Sequence, residues 1–304
     1  MSSPSSAVWA PLLSYGSLAR VDARLDALSG RAALRRLGAT VRGAPLRAAV
    51  VGPTGAARTT VVVAGLHALE WIGVQVALAL LERLAADPPR DRRVVIVPIV
   101  NVDGVAAVEA DLRAARRRFR RTNDRGVDLN RNWPTHHAVH RRPWRWIAGD
   151  GGAAPASEPE IATVLAALDD AHAAAPIDRA LSLHSFGRML LVPWGGRWAR
   201  PDGHGRLRAA AAAIAARLAE PYRVRQVSHW LPGAFAHGLE IDHLHARYGA
   251  TAVLVECTLG GILGRRPRPA ELLQPFRWYN PPDPAPAVAA LADALEPFAR
   301  GDEP

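Results

Sequence analysis

Between residues 58 and 86 a β-branched apolar run passes, through a short turn bearing ionisable side chains, into an apolar stretch of helical length. Few folds accommodate that order. Arg58 to Val63 reads R-T-T-V-V-V, a pattern typical of a buried strand. Trp71 to Ala86 (WIGVQVALALLERLAA) has the length and residue types of a helix. The turn between them, Ala64-Gly65-Leu66-His67-Ala68-Leu69-Glu70-Trp71-Ile72-Gly73, therefore lies at the carboxyl end of a sheet strand. Open α/β sheets bind their ligands there. An imidazole and a carboxylate three residues apart can share a metal ion, and a catalytic zinc takes three such N/O ligands and leaves a fourth position open.

The same order recurs along the chain. Leu46 to Val51 and Thr59 to Val63 read as strands separated by the turn Gly52-Pro53-Thr54-Gly55. The helix after Glu70 stops near Asp87-Pro88-Pro89. Arg93 to Val100 is a further strand that delivers Asn101 and Asp103, and a long arginine- and tryptophan-rich section to Gly152 then reads as functional loop. Ser157 to Leu168 starts as a capping-box helix with Ser157 as N-cap. Ala180 to Leu183 is a short strand feeding His184, and Thr251 to Val255 is another ending at Glu256. Leu207 to Ala219, Ile241 to Tyr248 and Pro286 to Arg300 read as helices. The expected fold is α/β, with a mixed, mostly parallel twisted sheet covered by helices on both faces. Residues 1–45, with Val21 to Leu37 in their middle, are expected to be a helical lead-in, and residues 46–300 a single catalytic domain.

Composition removes several function classes. No window of eighteen apolar, uncharged residues is present, so no membrane span is expected. The net charge of +10 rests on 38 basic residues, all of them arginine, in an alanine-rich chain, which points to coding bias in a GC-rich genome. The densest run, Arg116 to Arg121, lacks a groove-binding motif, so no specific nucleic-acid partner is expected. A lone cysteine, Cys257, excludes an internal disulfide and, with no visible signal sequence, leads us to expect a cytoplasmic protein. Cys257 follows Glu256 on a strand and so faces the other way; no catalytic role is expected for it. His136, His137 and His140 read as a solvated loop.

Four strand ends thus carry polar groups: His67/Glu70, Asn101/Asp103, His184/Ser185 and Glu256. A buried strand that stops on an ionisable residue is costly unless the residue acts at the sheet edge, and four such ends are expected to converge. The segments resemble those of the zinc carboxypeptidases of the pancreatic A/B type. Gly65 to Ile72 is similar to that family's first zinc motif, Pro98 to Gly104 to its second signature and Phe119-Arg120-Arg121-Thr122 to its Trp-Arg-Lys-Thr segment. Gly126 to Trp133 resembles the Asn-Arg motif, and Ser182 to Gly187 with Pro193-Trp194-Gly195 the third zinc-ligand segment. The resemblance covers roughly residues 45–275. It implies one Zn²⁺ held by His67, Glu70 and His184, with Asp128 orienting His67. It further implies Glu256 as general base, Arg120 as the group polarising the scissile carbonyl, and Asn130 with Arg131 as the clamp on a terminal carboxylate. Arg121 and Arg118 compete with Arg120 for its role.

The chain departs from that pattern where the family carries a mobile tyrosine. Here Val227 to Phe235 contains none, and His229 or Trp230 is the candidate to stand in. Phe235 falls near the pocket residue that sets side-chain preference, which points to apolar or aromatic terminal residues. The 45 lead-in residues are not expected to form an inhibitory prodomain. The activity implied is removal of C-terminal residues from peptides. A zinc amidohydrolase acting on N-acyl amino acids or cell-wall peptides is the alternative enzyme, and a binding module that kept the fold is the non-enzymatic one. Retention of all three ligands and of Glu256 argues against the module.

Overall fold

The computed structural model describes residues 13–139, 149–230, 233, 235–263, 266, 267 and 269–302. Eight strands form one mixed sheet: β1 (Ala33–Ala39), β2 (Pro45–Val51), β3 (Arg58–Ala64), β4 (Arg92–Val97), β5 (Ile177–His184), β6 (Met189–Val192), β7 (Arg223–Gln226) and β8 (Thr251–Glu256). Their order across the sheet is β1-β2-β4-β3-β5-β8-β6-β7. The central strands β4, β3, β5 and β8 run parallel, while β1, β2 and the β8–β6 pair are antiparallel.

Alternation along the parallel strands divides the core between two faces. Val62, Leu181, Leu183, Val253 and Val255 point to one face, where α1 (Leu18–Asp26), α2 (Trp71–Ala86) and α3 (Val102–Arg113) pack. Val61, Val63, Ala180, Ala252 and Leu254 point to the other, covered by α4 (Pro159–Ala174). On the first face α5 (His204–Ala216) adds Leu207 and Ile214, and on the second α6 (Glu240–Tyr248) adds Ile241 and Leu244. Two short helices, α7 (Pro269–Leu272) and α8 (Pro275–Tyr279), lead to α9 (Ala285–Arg300), which packs against α2. Apolar residues lie all round α2, with Trp71, Val74, Leu78, Leu81 and Leu84 buried, because it is sandwiched between the sheet and α9. No helix among the described residues is long and apolar enough to cross a membrane.

Several expectations change here. The helix read across Val21 to Leu37 is confined to α1, and Ala33–Ala39 is instead the edge strand β1, paired to β2 from Ala33↔Val50 to Ala39↔Pro45. A long-range partner outweighs weak local helix propensity there. Val102–Arg113, read as loop, is a helix capped by Asn101, whose side chain accepts from Gly104 N–H at 3.0 Å. Ser157 is not the cap of α4; that position is Glu158, and Ser157 Oγ donates to it at 3.0 Å.

Candidate active site

The ligand loop begins where β3 ends. Gly65 has φ +64°, and a Cβ there would lie 2.9 Å from Ile99 Cα, so only glycine turns the chain here without displacing its neighbour. The far end is pinned by buried Asn280, which accepts from Ile72 N–H at 3.0 Å and donates to Leu69 O at 2.6 Å. Gly73 lets α2 approach β5, since a Cβ would stand 2.7 Å from Leu183 O. That approach sets Glu70, the N-cap residue of α2, beside His184 at the end of β5.

Three side chains meet there, all buried: His67, Glu70 and His184. His67 Nδ1 lies 2.8 Å from Glu70 Oε1, and His184 Nδ1 lies 2.9 Å from Glu70 Oε2 and 3.1 Å from His67 Nδ1. On its outer edge His67 Nε2 donates to Asp128 Oδ1 at 3.0 Å, since an ionised carboxylate only accepts. His67 Nδ1 then faces the carboxylate oxygen of Glu70, a contact that either a proton on Nδ1 or a metal ion shared by the two groups satisfies. Zinc ligands at ~2.0–2.2 Å in tetrahedral array stand about 3.3 Å apart. The three separations here are each somewhat shorter than that, so the set fits zinc in its donor chemistry and would open slightly around the ion.

The electrostatics differ across the cluster. Burial opposes the charge of Glu70, but the His67 and His184 rings hold its carboxyl well below the usual range. Asp128 is likewise buried, and the cations of Arg121 and Arg131 together with His67 hold it well below its ordinary value. Arg121 Nε donates to Asp128 Oδ2 at 2.8 Å, and its Nη1 to Glu70 Oε1 at 3.3 Å. On the opposite side His184 Nε2 lies 3.0 Å from Ser182 Oγ, which donates in turn to Glu240 Oε2. Glu240 is fully buried on the first turn of α6, and burial pushes its carboxyl up to about 8 despite the bond from Ser182.

Glu256 ends β8 directly opposite His184 in the parallel register. Its Oε2 is buried and has no hydrogen-bond partner. Burial, and then the negative charge of Glu70, raise its carboxyl well above the usual range, with Arg121 acting in the other direction. Tyr279, whose ring meets Phe186 at 5.3 Å, has its hydroxyl raised by burial, with the Arg121 charge opposing.

The structure thus brings together His67, Glu70, His184, Asp128, Asn130 and Glu256. Asn130 accepts from Glu240 N–H at 2.9 Å and lies 3.3 Å from His184 through Nδ2. Arg131 is held beside it, with Nη1 on Asn130 O at 2.6 Å; burial pushes its guanidinium down. Arg120 turns away and pairs with Asp111, leaving Arg121 at the cluster. Ala68 N–H donates to Arg121 O at 3.1 Å and docks that residue beside the ligand loop. The Asn101/Asp103 strand end serves structure instead: Asp103 accepts from Thr40 Oγ1 and Arg42 N–H, both at 2.9 Å, and so holds the β1–β2 turn. His229 lies against Trp198, with ring centroids 4.2 Å apart, and Phe235 is partly exposed with its ring 6.1 Å from His237. His136 is no solvated loop residue, since its Nδ1 pairs with buried Asp242 at 2.9 Å, and His137 bonds Gly151 O at 2.9 Å. His140 lies outside the described residues. Sequence reading passed over Ser182, Glu240 and Tyr279. Period-two spacing from His184 along β5 was a usable signal for Ser182; Glu240 and Tyr279 had none.

Residues 19–252 match the peptidase M14 family, described as zinc carboxypeptidases. That span contains His67, Glu70, Asp128, Asn130, Arg131 and His184, and Glu256 lies just past it. Mouse carboxypeptidase A2 is 27% identical over 168 residues, a match that takes in 51% of this chain and 40% of that protein. The chain therefore matches less than half the length of that relative. Among solved structures, a carboxypeptidase A from Helicoverpa armigera superposes with a TM-score of 0.75 at 19% identity, over 94% of this chain and 72% of that one. A murein-tripeptide amidase from Escherichia coli O157 does so with a TM-score of 0.56 at 18% identity, over 88% and 91%. Each shares the α/β fold. With the family match over most of its length, and a His-Glu-His cluster able to hold a metal within the matched span, the chain belongs to the zinc carboxypeptidase family.

Proposed function

We propose that this protein is a zinc-dependent exopeptidase that removes C-terminal residues from peptides. The observation that carries the reading is the meeting of His67, Glu70 and His184 with Glu256, whose Oε2 is the unsatisfied atom at the end of the neighbouring strand. His67, Glu70 and His184 would hold the zinc, which when bound supplies Lewis-acid polarisation and a more acidic water. Glu256 Oε2 takes a proton from the attacking water and returns it to the leaving amine, a role served by a carboxyl whose proton affinity burial has raised. Arg121, rather than Arg120, faces the developing oxyanion, and its neighbours Asp128 and Glu70 hold it charged and oriented. Arg131 is half-buried, which lowers the affinity of its guanidinium for its proton, and a substrate carboxylate would favour its charged form. Asn130 assists with its amide hydrogens, its oxygen being committed to Glu240. We assign this chemistry to residues 46–300, with β1 hydrogen-bonded into the same sheet.

Peptides with free and amidated C-termini test the reading. Amidation removes the carboxylate that Arg131 would bind and should depress kcat/KM strongly. Equal turnover of acid and amide refutes the clamp and favours an amidohydrolase that uses the same metal and base.

A further inference from the structure

The second metal-facing histidine has a support that the catalytic reading does not use. If His184 is to offer Nδ1 to a metal, its Nε2 must carry the hydrogen and needs an acceptor. Two polar atoms lie in reach. Asn130 Nδ2 is at 3.3 Å, but the Asn130 oxygen accepts from Glu240 N–H at 2.9 Å, so the amide presents only hydrogens to the ring. Ser182 Oγ, at 3.0 Å, is the remaining acceptor. A hydroxyl that accepts from the ring must send its own hydrogen elsewhere, and Glu240 Oε2 receives it. Glu240 has no other side-chain use: it is fully buried and its Oε1 has no partner. A carboxyl left half satisfied in a core is expensive, and nothing in the packing of α6 requires it, since the adjacent Ile241 and Leu244 fill the core.

We propose that Ser182 and Glu240 form a hydrogen-bond chain that positions His184 with Nδ1 turned to the metal, the counterpart of Asp128 behind His67. The inference rests on the zinc-site reading above. Two features of the fold make the chain possible. Ser182 and His184 are two residues apart on β5 and therefore share a face. Glu240 opens α6, and the Glu240 N–H to Asn130 bond fixes that helix start against the segment carrying Arg131.

The test is the zinc dissociation constant of the folded protein, measured by competition with a chromogenic chelator, for wild type, Ser182→Ala, Glu240→Leu, Glu240→Gln and the Ser182→Ala/Glu240→Leu pair. Melting of each metal-free protein is followed alongside. Ser182→Ala and Glu240→Leu should each weaken zinc by ~10–100-fold, the range for loss of a ligand's outer partner. The double variant should be no weaker than the worse single one, because both break one chain. Glu240→Gln retains an oxygen acceptor for Ser182 and should stay within about 3-fold of wild type. A purely packing role would lower melting temperatures and leave zinc affinity unchanged. Wild-type affinity in Ser182→Ala, or additive losses in the pair, overturns the chain while leaving the metal site standing. A wild type that binds no zinc overturns both.

Discussion

His67 and His184 point the same nitrogen at the same place, yet the protein backs them in opposite ways. Behind His67 stands an ionised carboxylate, Asp128, held low by burial-resistant pairing with Arg121, Arg131 and the ring itself. Behind His184 stands a hydroxyl and then a carboxyl that burial drives toward its neutral form. The arginines explain the asymmetry. Arg121 lies on the His67 side and bonds both Asp128 and Glu70, so charge there is compensated. Among the described residues no cation contributes to the Glu240 environment, and an ion at that depth would go unpaired. Glu256 sits between these regimes, raised by burial and by Glu70 but opposed by Arg121. Two unlike supports can therefore serve one metal, provided each leaves the inward nitrogen its lone pair.

The largest expected effect lies where the two sides become equivalent. His67→Ala and His184→Ala should each lose most of the bound zinc and with it the activity, as read by elemental analysis of the purified proteins. Full zinc in either variant would remove that histidine from the ligand set. Next comes the group common to both sides. Glu256→Gln keeps the shape and removes the base, so kcat should fall by ~10²–10⁴-fold while zinc content is unchanged. A near-normal kcat would move the base elsewhere.

The charged side can then be tested alone. Arg121→Ala should cost about 3 kcal/mol of transition-state stabilisation, close to a 100-fold loss in kcat. Arg120→Ala breaks an ion pair with Asp111 and should change kcat by less than about 3-fold. The reverse ranking would return the role to Arg120.

A subtler contrast is in pH. For Asp128 the folded pKa is depressed, so its share of stability is present above its ordinary value of 3.8 and is lost as pH falls. For Glu240 the folded pKa is raised from 4.5 to about 8, so the benefit of its neutral form is complete below 4.5 and is lost as pH rises through 8. In chelated protein, Glu240→Gln should therefore gain on wild type between pH 5 and pH 8 by a few kcal/mol, at ~1.4 kcal/mol per unit. Asp128→Asn should differ from wild type by an amount that shrinks toward pH 3. Urea denaturation across that range measures both; a flat Glu240→Gln difference would mean that Glu240 ionises freely. Smallest of all, His229→Ala and Phe235→Ala, at the positions the resemblance places near the substrate, should change KM rather than kcat, since neither residue touches the described ligands; an unchanged KM removes them from substrate binding.

What could be read from the sequence is local or periodic. The runs TTVVV and TAVLV read as buried strands because β-branched apolar residues have little other use, and the polar residues that end such strands read as a site because burial would otherwise penalise them. His67, Glu70, His184 and Glu256 were legible for that reason. Asn101 and Asp103 obeyed the same rule and were misassigned, because capping a helix and holding a turn satisfy a strand-end carboxylate as well as a catalytic site does. The edge strand β1 was not legible, since its pattern is arginine-rich and its only reason to be extended is β2. Tertiary structure alone decided which of two adjacent arginines faces the cluster, because their composition is identical and only the docking of Arg121 O on Ala68 N–H orients them. It alone brought Glu240 to Ser182 across 58 residues. Ligand identity follows from residue type at a strand end, whereas the support of a ligand depends on which helix start happens to be buried behind it, and that is a property of packing.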